Sequence, residues 1–116
     1  MTAGRGTHEA PRGPARHERP AIDEAALVAA RAGDRMLAAA RAKGSTRWVA
    51  YLEPLPDRLR DDAIGELRRT ALRARSAYGP KDSVRDVLPR DVTEPFLEAV
   101  DRLLKELARR DAAGAG

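Results

Sequence analysis

The sequence predicts an all-α fold, a small helical domain of three main helices plus two short helices, with a disordered N-terminal tail. Three observations lead there. The 116 residues are 42% hydrophobic, yet only Trp48, Tyr51, Tyr78 and Phe96 are aromatic. The core must therefore be built from Leu, Val, Ile and many alanines, which suit close helix packing better than a β-sandwich. Punctuation at Gly44, Pro54 and Gly79-Pro80 cuts the chain into segments of helical length. Within those segments, apolar residues gather on one side when placed at 100° per residue.

The first helix is predicted from about Asp23 to Lys43. Asp23 and Glu24 lie near its positive end, and Gly44 provides a C-terminal stop. Glu24, Arg31, Asp34, Arg35 and Arg41 fall on one side, and Val28, Ala32, Met36, Leu37, Ala39 and Ala40 on the other. Gly33-Asp34 leaves two readings open: one continuous helix, or two, with Gly33 ending the first and Asp34 capping the second. Ser45-Thr46 then offers an N-cap for a short helix that carries Trp48, Val49, Tyr51 and Leu52 and ends at Pro54.

A third helix is predicted from Pro56, in its first turn, to Tyr78. Its acids, Asp57, Asp61, Asp62 and Glu66, precede its arginines, Arg68, Arg69, Arg73 and Arg75, in the order that suits the helix dipole. Leu59, Ala63, Leu67, Thr70, Ala71, Ala74 and Tyr78 form the expected inward stripe. Ser83 and Asp86 resemble a capping box for one turn ending before Pro89. In the last helix Thr93 is the expected N-cap, with Pro95 in the first turn. Phe96, Leu97, Val100, Leu103, Leu104 and Leu107 fill one arc, and Glu98–Arg102, Asp101–Lys105 and Glu106–Arg110 are i,i+4 pairs on the outer side.

The ends differ in composition. Residues 1–20 hold glycine, proline, arginine and glutamate but no bulky aliphatic after Met1. They bury too little to offset the entropy of ordering, so they are expected to be a disordered tail. The folded domain is then 21–111, and residues 112–116 are expected to fray. No stretch approaches the roughly 18 apolar residues needed to cross a bilayer, and residues 2–20 lack the apolar core of a signal peptide. The expectation is a soluble cytoplasmic protein without membrane contact. Arginine supplies 19 of the 22 basic residues, as in a GC-rich bacterial coding sequence, so its abundance alone carries little functional weight.

The residue inventory disfavours catalysis. There is no cysteine, and the two histidines, His8 and His17, lie in the expected tail. Nucleophilic, proton-transfer and transition-metal chemistry therefore lack their commonest carriers in the folding region. The carboxylates Asp61, Asp62 and Glu66 are accounted for by the helix dipole better than by a hard-cation site. No glycine-rich phosphate loop occurs. The expectation is no catalytic residue, no metal and no cofactor.

Binding is the remaining class. Ala40 and Gly44 have the spacing of a helix-turn-helix, but Pro54 ends the following helix after about two turns, too short to lie along a major groove. On the third helix Arg68 and Arg75 fall on one flank and Arg69 and Arg73 on the other, so they form no single stripe. Leu72 lies opposite the inward stripe with Arg68, Arg69, Arg75 and Ser76 around it. Three readings are open: an ordinary isolated exposed leucine, the apolar centre of a contact surface, or a residue buried beneath Lys81–Leu88. The favoured function is a non-catalytic adaptor or regulatory protein that binds another macromolecule, most simply a protein, with Leu72, Arg68, Arg69 and Arg75 as its contact candidates. A homodimer is also compatible. The alternative is a DNA- or RNA-associated regulator using Arg5, Arg12, Arg16, Arg19 and Arg73 to neutralise phosphates, and a small enzyme or enzyme subunit comes third.

Overall fold

Apolar stripes at helical period must bury one another, and in the computed structural model, which describes residues 15–115, they do so as helices only. A 3₁₀ turn at Arg16–Glu18 leads into α1 (Pro20–Lys43), α2 (Thr46–Leu52), α3 (Leu55–Asp61) and α4 (Ile64–Arg75). Two further 3₁₀ turns, Ser76–Tyr78 and Val84–Asp86, precede α5 (Arg90–Ala115). No strand occurs among the described residues. No described helix is long and apolar enough to cross a membrane.

The central element is α1, which packs against α5, α3 and α2. Its alanines explain how one helix can have so many close neighbours. Ala25, Ala26, Ala29, Ala30, Ala32 and Ala40 are all buried, and short side chains let helix axes approach. Gly33 does not break this helix, so the continuous reading is the correct one. A Cβ there would sit 3.1 Å from Cε1 of Phe96 and 3.4 Å from Cγ of Pro56. Glycine is present for close approach, not for termination. The stop is Gly44, in the left-handed region at φ 74°, with its N–H turned back to the carbonyls of Ala40 and Arg41. Ser45 caps α2 as expected, its hydroxyl accepting the Trp48 N–H at 3.3 Å.

The predicted third helix requires correction, because it is broken in two. Asp62 and Ala63 are extended (ψ 140° and 156°), so α3 ends and α4 restarts on a new phase. Ala63, expected in the inward stripe, is exposed, and Ile64 is buried in its place. The break is held by side chains remote in sequence or one helix further on. The Arg16 guanidinium donates to the carbonyls of Leu59 and Asp62, each at 2.9 Å, and to the Asp23 carboxylate at 2.8 Å. The Thr70 hydroxyl, buried in α4, donates to the Asp62 carboxylate.

Arg16 also moves the tail boundary. Its side chain is only 16% exposed, so the ordered body includes Ala15–Pro20, which had been assigned to the tail. The expectation for residues 1–14 lies outside the described residues. At the other end, α5 runs on through Ala112 to Ala115 where fraying was expected.

The start of α5 is a second correction. Thr93 is buried inside the helix and is not its N-cap. The Pro89 carbonyl accepts the N–H groups of Val92 and Thr93, opening the helix earlier. Pro95 then lies inside α5, where the N–H it lacks would have served the carbonyl of Asp91, an exposed residue. The expected capping turn at Ser83 is 3₁₀, and Ser83 accepts the N–H of Arg85 at 3.1 Å. Within α5, Phe96, Val100, Leu103 and Leu107 are buried while Leu97 and Leu104 are half-buried. The expected i,i+4 pairs give way to other partners: Asp101 meets Arg75, and Glu106 meets Arg109.

Candidate interaction site on α4

On a helix surface the neighbours of a residue are those three and four positions away. For Leu72 these are Arg68, Arg69, Arg75 and Ser76. Leu72 is 47% exposed, and among the described residues it is the large hydrophobic side chain left in solvent. The reading that buried it beneath Lys81–Leu88 is excluded. That segment turns its own apolar residues, Val84 and Leu88, into the core against α5 and the Ser76–Tyr78 turn.

Two of the surrounding arginines are held in place by α5. Arg68 Nη2 lies 3.2 Å from Oδ2 of Asp111, and Arg75 Nε lies 2.8 Å from Oδ1 of Asp101. Both acids come from α5, so the two ion pairs tie the outer edges of α4 and α5 together. Arg69 is 85% exposed and 3.7 Å from the Glu66 carboxylate. Ser76 donates to the Leu72 carbonyl at 2.9 Å. Exposed ion pairs of this kind contribute at most about 1 kcal/mol each. Their effect here is positional: each guanidinium has five N–H donors and spends only some of them.

Arg73 leaves by the opposite flank. Its guanidinium sits 4.5 Å from the centre of the Tyr51 ring on α2, and the Tyr51 hydroxyl donates to the Arg73 carbonyl at 2.7 Å. Of the residues proposed for phosphate binding, Arg5 and Arg12 lie outside the described residues. Arg16 is built into the α3–α4 break. Arg19 is exposed and lines a groove of about 810 Å³ between Pro20–Ile22 of α1 and Glu106, Arg109 and Arg110 of α5. These arginines stand on different parts of the fold. The groove had no signature in the chain, because it joins the first turn of α1 to the last turns of α5.

Two titratable groups elsewhere, Tyr78 and Glu94, are engaged in structural roles. Tyr78 is pushed well above the usual tyrosine range, first by burial and then by the Glu94 charge, and its hydroxyl donates to the Thr93 carbonyl at 2.6 Å. Glu94 is held below the usual carboxylate range by two hydrogen bonds from Arg85, at 2.8 and 2.9 Å. Among the described residues no cluster of three or more His, Cys, Asp or Glu could hold a metal ion. Against known protein families, curated proteins and solved structures, the chain has no match.

Proposed function

We propose that this chain is a non-catalytic adaptor or regulatory protein that binds another protein through the outer face of α4. The observation that supports this is the position of Leu72, a large apolar side chain in solvent, bordered by Arg68, Arg69 and Arg75, of which Arg68 and Arg75 are oriented by acids of α5. Binding surfaces concentrate their energy in a small, well-packed centre with a polar rim, and arginine is enriched in interfaces relative to the rest of the surface. The nucleic-acid alternative has weaker support. Arg68 and Arg75 are already neutralised by α5, Arg16 is internal, and Arg73 stacks on Tyr51.

Leu72→Glu tests the proposal. The variant should keep its melting temperature within about 2 °C, because an exposed position changes and the core does not. A protein captured by the wild-type chain from its host lysate should be lost from the variant. Equal capture by both chains, or a large drop in melting temperature, would overturn the proposal.

A further inference from the structure

We infer that Arg47 and Arg73 form a second binding surface, which takes the phosphate backbone of a double-stranded nucleic acid without reading its sequence. It lies where α2 meets α4, on the other flank of α4 from Arg68 and Arg75, and it does not depend on Leu72. Its ground is unbalanced charge. Residues 35–52 and 67–81 are the two longest runs without Asp or Glu among the described residues, and the contacts of Tyr51 with Arg73 bring them together. Acids from elsewhere neutralise part of what these runs carry: Arg41 meets Glu53, Arg68 meets Asp111, Arg69 meets Glu66 and Arg75 meets Asp101. Arg47 and Arg73 are exposed and pair with no carboxylate of the described residues. The other described arginines without an ion pair, such as Arg35, Arg58 and Arg102, each have an acid within four residues in the chain. Arg47 and Arg73 have none.

The geometry holds both guanidiniums ready. Arg47 lies over the Trp48 ring at 4.8 Å, Trp48 meets Tyr51 edge-on at 5.4 Å, and Arg73 lies over Tyr51 at 4.5 Å. This row keeps the two charges within about 15 Å of each other, about four steps along one strand of a duplex at 3.4 Å each. A guanidinium stacked on a ring spends its face there and keeps its N–H edge for phosphate oxygens. The rings also decide the class of ligand. Trp48 is buried and Tyr51 half-buried, each with a guanidinium already against it, so neither is set out as a platform for the bases of a single strand. The exposed residues of α2 are Thr46, Arg47 and Ala50. They supply neither the apolar centre of a protein interface nor a side chain that inserts into a bilayer. What remains is charge, and duplex phosphates are bound by charge without base contacts.

The test is fluorescence anisotropy of the full chain with labelled DNA and RNA duplexes of about 20 base pairs and arbitrary sequence, between about 50 and 200 mM salt. Binding should weaken as salt rises, and the tighter of the two duplexes names the source of the phosphates. Arg47→Gln and Arg73→Gln should each lower the log–log slope of affinity against salt by about 1. Arg102→Gln, which removes the same charge from the exposed side of α5, should leave the slope unchanged. The Arg47 side chain makes no hydrogen bond within the described fold, so Arg47→Gln keeps the test decisive if Arg73→Gln fails to fold. No binding of either duplex at the lowest salt, an equal loss of slope in Arg102→Gln, or tighter binding of a single strand would overturn the inference. So would binding of phosphatidylserine vesicles in place of both duplexes.

Discussion

Arg16, Gly33 and Tyr78 show how much one side chain can depend on distant partners. Arg16 spends its fork on two carbonyls at the α3–α4 break and on Asp23, while Nη2 is buried with no partner. Its contribution is the difference between those bonds and that desolvated donor. Gly33 is required by the Phe96 ring and Pro56. Tyr78 gives a pH prediction. Its ionisation is raised in the folded state, so its contribution is present in full below the unfolded value of about 10 and declines as pH rises from there. The urea midpoint should therefore fall between pH 9 and 11, and Tyr78→Phe should flatten that decline. At neutral pH the variant should be weaker by about 1 kcal/mol, the net worth of the lost hydrogen bond to Thr93. An identical alkaline decline in both proteins would show that Tyr78 ionises freely.

At the scale of elements, α5 was the most legible. Its apolar arc is read directly from spacing, and Phe96, Val100, Leu103 and Leu107 are buried as that spacing requires. The arc also contains Leu97 and Leu104, which burial separates from the rest: they are only half-covered. Leu103→Ala should cost about 2–5 kcal/mol. Leu104→Ala should cost less, about 1–2 kcal/mol, because less apolar surface leaves contact. Equilibrium unfolding in urea checks both, and equal losses would mean that the arc packs more deeply on one flank than it does here. The break between α3 and α4 could not be read in the same way. Asp61, Asp62 and Ala63 contain no glycine or proline, and the groups that stabilise the break, Arg16 and Thr70, are identified only once the chain has folded. The charge pairs of α5 failed for a related reason: local i,i+4 partners contribute only about 0.2–0.5 kcal/mol, so tertiary partners such as Arg75 readily displace them.

For the whole molecule, the N-terminal boundary is the testable consequence. Removing residues 1–14 should leave the melting temperature within about 2 °C, since that segment carries no bulky aliphatic beyond Met1. Removing residues 1–19 deletes Arg16 as well, and the melting temperature should then fall by about 5 °C or more. If the two truncations melted together, the Arg16 contacts would contribute nothing to stability.

While the exposure of Leu72 was left to the structure, the chain alone determined the helical class, the stop at Gly44, the cap at Ser45 and the apolar arc of α5. These follow from local backbone preference and from 3.6-residue periodicity, which act within a few residues. Only the tertiary structure decided the break at Asp62-Ala63, the small-residue approach at Gly33, the early start of α5 and the partners of the arginines. Each of those depends on groups that meet across helix interfaces, and their energies exist only after α1 has drawn α3 and α5 together.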